Sequence, residues 1–283
     1  MKQKILTLQT LYREGQIQLK DSGIEEYQLD AWYLLEYVTG ISKASYYGDP
    51  NRELSAAQAE EYRKCIEKRS ERIPLQHITG VQEFMGHEFF VNEHVLIPRQ
   101  DTEILVEHAL DKVEDGKKVL DMCTGSGCIL LSILKRYQVR GTGADISSEA
   151  LQVAEHNRKH LALPRVEWLQ SDLFEKIEEK YDVIVSNPPY IQTGVIESLQ
   201  EEVRLHDPYI ALDGKEDGLY FYRRIIEDAK AYLEDGGWLL FEIGYDQAEP
   251  VTRLMEQAGY SEIHVKKDLS GLDRVAGARY NKN

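Results

Sequence analysis

Between residues 118 and 243, short apolar runs alternate with amphipathic stretches. Lys118–Met122, Gly141–Asp145, Val166–Gln170, Tyr181–Ser186 and Trp238–Ile243 read as strands, and Ile129–Tyr137 and Ala150–Asn157 as helices between them. That alternation predicts an α/β fold with a mostly parallel sheet covered on both faces. Glu262–Lys267 and Arg274–Ala278 add two strand candidates, which makes a seven-stranded sheet. Upstream the period changes. Leu6, Leu8, Leu11 and Tyr12, then Leu29, Trp32, Leu34 and Leu35, fall at helical spacing, with breaks at Gly40 and at Gly48-Asp49-Pro50-Asn51. Ser55 followed by Gln58 is the signature of a capping box ahead of a charged helix starting near Ala56. Around Gly80 and Gly86, the residues Phe84, Phe89, Phe90, Val91, Val95, Leu96 and Ile97 predict a β-hairpin linker. The division expected is a small helical bundle at 1–73, the hairpin linker at 74–98 and the α/β domain at 99–283.

Composition narrows the partners more than the fold. With 283 residues and 42% hydrophobic content, the chain has room for two domains. No run approaches the length of a membrane span, and Met1–Thr7 has no signal-like apolar stretch. Cys65, Cys123 and Cys128 form an odd set without metal-ligand spacing and read as reduced thiols. The expectation is a cytoplasmic protein with no metal. A formal charge of −15 opposes binding to phosphate backbones, although a local basic patch is compatible with it and an acidic surface also serves solubility.

Asp121-Met122-Cys123-Thr124-Gly125-Ser126-Gly127-Cys128 joins the first strand of the α/β part to a helix. Gly125 and Gly127 permit a tight turn and close ligand approach, and the helix start offers unpaired N–H groups. The third position of a dinucleotide fingerprint is Leu130, so the loop suits a nucleoside without phosphates. Asp145 ends the next strand, where a carboxylate accepts hydrogen bonds from ribose hydroxyls. Asp172 follows the third strand. It either accepts from an adenine amino group, with Leu173 against the ring, or caps a helix while Leu173 joins the core.

The most telling motif is Asn187-Pro188-Pro189-Tyr190, directly after the strand Tyr181–Ser186. A carboxamide nitrogen is a poor nucleophile because its lone pair is delocalised. The Asn187 side-chain oxygen and the Pro188 carbonyl can grip its two N–H bonds. The prolines restrict the backbone that carries them. Tyr190 offers a flat wall for a planar group. Such a device works by positioning rather than proton abstraction. Its electrophile must be strong, and a sulfonium methyl group also fits a phosphate-free nucleoside site. The reaction is then in-line displacement at the methyl carbon, with the proton lost afterwards to water. A rigid proline turn closing a strand is the plain structural alternative.

In this order, the features resemble those of S-adenosylmethionine-dependent amino methyltransferases. A closer resemblance, to the release-factor glutamine methyltransferases, spans nearly the whole chain. It rests on Ile97-Pro98-Arg99-Gln100-Asp101-Thr102-Glu103, Pro208-Tyr209-Ile210-Ala211-Leu212-Asp213-Gly214, Asp217-Gly218-Leu219, Phe241-Glu242-Ile243-Gly244-Tyr245-Asp246-Gln247 and Lys267-Asp268-Leu269-Ser270-Gly271-Leu272-Asp273-Arg274. The proline–tyrosine motif is shared with adenine and guanine methyltransferases, whereas the Pro98–Glu103 signature is far more specific.

The resemblance implies a class I, Rossmann-like methyltransferase. Its reaction would be N5 methylation of the glutamine in the Gly-Gly-Gln loop of class I peptide-chain release factors, with S-adenosylhomocysteine as product. By the same analogy Cys123, Thr124, Gly125, Ser126 and Gly127 contact the methionine moiety, Asp145 the ribose, and Asp172 and Leu173 the adenine. Asn187, which also borders the cofactor, would act with Pro188, Pro189 and Tyr190 on the substrate amide, and the N-terminal helices would recognise the release factor body. Cys123 stands where many relatives carry glycine, and Leu173 where an aromatic occurs. Arg99 either pairs with Glu103 to anchor the linker or reaches the cofactor or substrate; Glu242 either lines the pocket floor or caps the sheet end. Two other functions compete: an N6-adenine nucleic-acid methyltransferase, which needs basic backbone contacts, and a silent cofactor-binding module, which has no need of two fixed amide acceptors.

Overall fold

The computed structural model describes residues 6–282; the first five residues of the Met1–Thr7 segment lie outside the described residues. The chain divides into two compact units, with the boundary in the sequence between Gly80 and Val81. The first holds α1 (Leu8–Asp21), α2 (Tyr27–Thr39), α3 (Lys43–Gly48), α4 (Ala56–Ser70) and the single turn α5 (Leu75–Thr79). Thr7 with Thr10 closes a capping box on α1, and Ser55 with Gln58 closes the expected one on α4. Leu8, Leu11, Leu34, Leu35 and Ile66 fill the core. Leu29, expected on the buried face, is exposed, because α2 turns Trp32, Leu34 and Leu35 inward. A Cβ on Gly15 would stand 2.2 Å from the Tyr62 hydroxyl, so only glycine lets α1 pass that close to α4. Inside the bundle Arg69 pairs with Asp30 at 2.7 Å. Ser55→Ala is expected to cost about 1 kcal/mol, seen as a lower denaturant midpoint at unchanged slope.

Residues 74–98 are not one hairpin. Pro74 leads into α5, which Gly80 ends in the left-handed region at φ 78°. Only then comes the hairpin β1 (Val81–Phe84) and β2 (His87–Phe90), antiparallel and turned at Met85 and Gly86, both at positive φ. It belongs to the second unit.

The second unit continues with α6 (Gln100–Leu110), β3 (Lys118–Met122), α7 (Cys128–Arg136), β4 (Arg140–Asp145), α8 (Ser148–His160) and β5 (Glu167–Gln170). A 3₁₀ turn at Leu173–Lys176 precedes β6 (Tyr181–Ser186). Three single-turn helices follow, α9 (Thr193–Ile196), α10 (Glu201–His206) and α11 (Tyr209–Leu212). The chain closes with α12 (Tyr220–Tyr232), β7 (Leu233–Glu242), α13 (Ala248–Gln257), β8 (Ser261–Lys267) and β9 (Asp273–Arg279).

The seven-stranded sheet runs in the order β5-β4-β3-β6-β7-β9-β8. Its pairings are parallel except where β9 meets β7 and β8. Side chains alternate between two cores: Val119, Val183 and Val185 face one helical layer, Leu120 and Ile184 the other. The strand order reverses between β3 and β6, and at such a switch point the crevice beyond the carboxyl ends of the strands is the natural ligand site. No helix among the described residues is long and apolar enough to cross a membrane.

Candidate active site

A cavity of about 1020 Å³, counting its open mouth, lies at the carboxyl ends of β3, β4 and β6. Its floor is the loop after β3. Asp121, fully buried, anchors that loop: its Oδ2 accepts from the Thr124 hydroxyl at 2.6 Å and from the Leu130 N–H at 3.4 Å. Burial pushes its carboxyl up to about 7 against these hydrogen bonds. Cys123, Thr124, Gly125 and Ser126 line the cavity. Gly127 does not; a Cβ there would press on Ala154 and Trp168, so it serves packing behind the loop. Cys123 sits at φ 61°, a strained value for any side chain and the physical reason why glycine suits this position. Burial raises the Cys123 and Cys128 thiols, the latter to about 12, so both are protonated and inert at neutral pH.

Asp145, at the end of β4, lines the next wall. Its Oδ2 accepts from the Gly125 N–H at 2.9 Å and its Oδ1 from the Ser147 N–H at 3.0 Å. Burial raises this carboxyl and the two N–H groups oppose the shift. Each oxygen keeps a lone pair for an incoming hydroxyl. Asp172 also lines the cavity and pairs with Arg224 at 2.9 Å. It precedes the 3₁₀ turn but makes no capping hydrogen bond. The capping is done by Ser171, whose hydroxyl donates to the Leu173 carbonyl at 2.7 Å and accepts from the Lys176 N–H at 3.0 Å. Leu173, at φ 49°, is buried in the core beneath the sheet and also borders the cavity.

Asn187 and Pro189 close the cavity at the tip of β6, while Pro188 and Tyr190 stand outside its lining. The Asn187 Nδ2 donates to Thr102 Oγ1 at 3.4 Å, and no hydrogen bond among the described residues takes up its Oδ1. Tyr190 is held at both ends. Its hydroxyl donates to Glu242 Oε1 at 3.2 Å and its carbonyl accepts from Gln247 Nε2 at 3.0 Å. Cβ atoms on Gly214 and Gly218 would come within 2.7 and 2.4 Å of the Tyr190 backbone. That is the work of the two Asp-Gly motifs. Arg99 does not pair with Glu103. It lines the cavity and meets the buried Asp207 at 2.6 Å, while Glu103 accepts from the Met85 N–H at 2.6 Å and so ties the hairpin to α6. Glu242 is not part of the cavity floor: it ends β7, is buried, and its carboxylate meets the Tyr190 hydroxyl behind the cavity wall.

A family model described as "PrmC N-terminal domain" matches residues 10–80, and one described as "Methyltransferase small domain" matches residues 99–204. The release factor glutamine methyltransferase of Clostridium acetobutylicum is 43% identical over 264 residues, which cover 91% of this chain and 93% of that protein. The Clostridium botulinum protein of the same name is 40% identical over 283 residues, covering 97% and 99%. The chain belongs to the release factor glutamine methyltransferase family. Among solved structures, a methyltransferase from Pyrococcus furiosus aligns with TM-score 0.56 over 76% of this chain and 100% of its own; at 17% identity that likeness speaks for the class I fold alone.

For a member of this family, three of the residues that build the site carry little signal in the sequence. Asn157 is buried between hairpin and glycine loop: its Nδ2 donates to the carbonyls of Phe90 at 3.0 Å and Ser126 at 2.9 Å, and its Oδ1 accepts from the Phe90 N–H at 2.7 Å. Ser171 and Thr102 are the others. The one available clue is a small polar residue inside a motif, and Thr102 does lie within the Pro98–Glu103 signature.

Proposed function

We propose that this chain methylates the side-chain nitrogen of the glutamine in the Gly-Gly-Gln loop of class I release factors, using S-adenosylmethionine. The observation that carries this reading is the free acceptor Oδ1 of Asn187 at a cavity wall, with its amide nitrogen already engaged by Thr102. Bound in the cavity, S-adenosylmethionine supplies an electrophilic methyl carbon on a sulfonium centre. The residues present fit it. Open space surrounds the Cβ position of Gly125, which leaves room for the methionine end. Asp145 is placed for the ribose, and Asp172 with Leu173 for the adenine. Asn187 Oδ1 and the Pro188 carbonyl accept the two N–H bonds of the glutamine amide and hold its nitrogen toward the donor, which restricts the reacting pair to a productive geometry. Arg99 borders the same space, and Tyr190 fixes the loop from behind. The helical unit, with Tyr33, Tyr37 and Tyr47 exposed, is assigned to recognition of the release factor body.

Methylation of adenine in nucleic acid is not favoured. The relatives that match nearly end to end carry the release-factor name, and a charge of −15 opposes phosphate backbones. The test offers labelled S-adenosylmethionine to a release factor, its glutamine-lacking variant, DNA and RNA, with the label located by mass spectrometry. Label on the glutamine side chain alone supports the reading; label on nucleic acid, or on the glutamine-lacking variant, overturns it. Asp145→Ala is expected to weaken S-adenosylmethionine binding by roughly 1–3 kcal/mol, measured by calorimetry. Unchanged affinity removes Asp145 from the ribose position.

A further inference from the structure

Asn157, in α8, is 0% exposed, and both polar atoms of its carboxamide are used. Its Oδ1 accepts from the Phe90 N–H at 2.7 Å while its Nδ2 donates to the Phe90 carbonyl at 3.0 Å. One side chain thus pairs with the end of β2 as a neighbouring strand would. The same Nδ2 also donates to the Ser126 carbonyl at 2.9 Å. Ser126 lines the cavity, whereas Asn157 and the whole hairpin, residues 81–90, stand outside its lining. The Ser126 carbonyl is therefore turned away from the cavity. The other end of the same peptide unit is taken up as well, since the Gly127 N–H donates to the Thr124 carbonyl at 2.8 Å. Ala154 lies three residues before Asn157 on the same face of α8. It backs this peptide: a Cβ on Gly127 would stand 3.1 Å from the Ala154 Cβ.

We propose that Asn157 is a positioning residue for the cofactor: it locks the Ser126–Gly127 peptide and yokes it to the hairpin, so that filling the cavity steadies a hairpin the ligand never touches. The inference rests on the cofactor assignment made above and deepens it. Gly127 sits at φ 78°, and glycine tolerates either orientation of the peptide before it. Hydrogen bonds then select one. Turned the other way, the Ser126 carbonyl would aim its negative end at the space assigned to the methionine carboxylate. Without Asn157 Nδ2 that carbonyl is a buried acceptor stripped of its donor, a state relieved by rotation toward the open cavity. A bound cofactor blocks the rotation. It thereby holds Asn157, and with it both main-chain groups of Phe90. The other anchors of the hairpin do not depend on this link. Glu103 Oε1 accepts from the Met85 N–H at 2.6 Å, and Phe84 and Phe89 are buried in the core. The hairpin stays docked when the link is cut.

The test is hydrogen exchange of the full chain with and without saturating S-adenosylhomocysteine, beside calorimetry with the same ligand, on the wild type, Asn157→Ala and Asn157→Asp. In the wild type the ligand is expected to slow exchange across residues 81–90 by about fivefold or more, the range of ordinary coupling between sites. Both variants are expected to lose affinity by about 10–100-fold. At saturation the ligand still protects the start of α7 in them, but its effect on the hairpin is gone. Asn157→Asp is equal in size, keeps the acceptor for Phe90 and sets an oxygen against two carbonyls, so it separates hydrogen bonding from packing. A merely structural role would lower the unfolding midpoint and leave the ligand's effect on the hairpin intact. A wild-type hairpin whose exchange ignores the ligand, variants within about twofold of wild-type affinity, or hairpin protection that survives in the variants each overturn the proposal. The wild-type arm decides without any variant having to fold. If the wild type binds no S-adenosylhomocysteine, the cofactor assignment itself fails, and the proposal with it.

Discussion

In the Asn187→Ala protein, methyl transfer is expected to fall by about a thousandfold or more, with S-adenosylmethionine affinity within about twofold of wild type. The asymmetry follows from geometry. The polar groups proposed to hold the cofactor are Asp145, Asp172 and the backbone of the loop after β3, and none of them is hydrogen-bonded to Asn187. Truncation leaves them in place. What disappears is the one side-chain acceptor at the tip of β6 whose Oδ1 has no partner among the described residues. The nitrogen of a carboxamide is nucleophilic only along a narrow direction, so an amide held by one acceptor instead of two spends little time in line with the donor. Single-turnover kinetics with a release factor, set beside calorimetry with the cofactor alone, separates the two effects. A variant that keeps its turnover number removes Asn187 from the reaction. One that loses cofactor affinity and turnover together reassigns it to the cofactor.

Gly218→Ala is expected to destabilise the protein by about 2–5 kcal/mol, from a side chain in the left-handed region and from overpacking, and to lower turnover as well. Gly218 has φ 73°, and a Cβ on it would stand 2.4 Å from the Tyr190 carbonyl and 2.7 Å from Gln247 Nε2. These atoms are hydrogen-bonded to each other. The clash therefore falls on the device that holds Tyr190, which lies three residues from Asn187 on a backbone stiffened by two prolines. Denaturant unfolding measures the first effect. Activity measured well below the unfolding midpoint measures the second. Wild-type stability would mean that the loop after Pro189 is free to move aside, and the role given to the Asp-Gly motifs would have to be abandoned.

The sheet was largely legible because its strands are buried on both faces. The runs Lys118–Met122 and Tyr181–Ser186 are strands with the bounds read from the sequence, since apolar side chains there serve two cores at once. β7 begins at Leu233 rather than Trp238, because Gly236 and Gly237 disguise its first half and the pairing with β6 shifts register there. Residues 191–219 offer no period to read. Their three single-turn helices are held by main-chain pairing such as the Ile191–Asp213 bridge, which no local pattern encodes.

The site was legible where chemistry sits in consecutive residues and opaque where it is assembled from afar. Asn187 and Asp145 are conspicuous at strand ends. The partner of Asn187 is 85 residues away in sequence, and that of Arg99 is 108 away. The sequence left Arg99 beside Glu103 or at the pocket; it lines the pocket and pairs with Asp207 instead of Glu103. Gly214 and Gly218 stood out as a signature without a reason, and the reason is the backbone of Tyr190 packed against them.

The most direct test is a crystal structure of the enzyme with S-adenosylhomocysteine and a peptide carrying the Gly-Gly-Gln loop. The account predicts the glutamine nitrogen about 3 Å from both Asn187 Oδ1 and the Pro188 carbonyl, with the product sulfur on its far side. A peptide glutamine that turns its oxygen toward Asn187, or that docks away from the tip of β6, contradicts it.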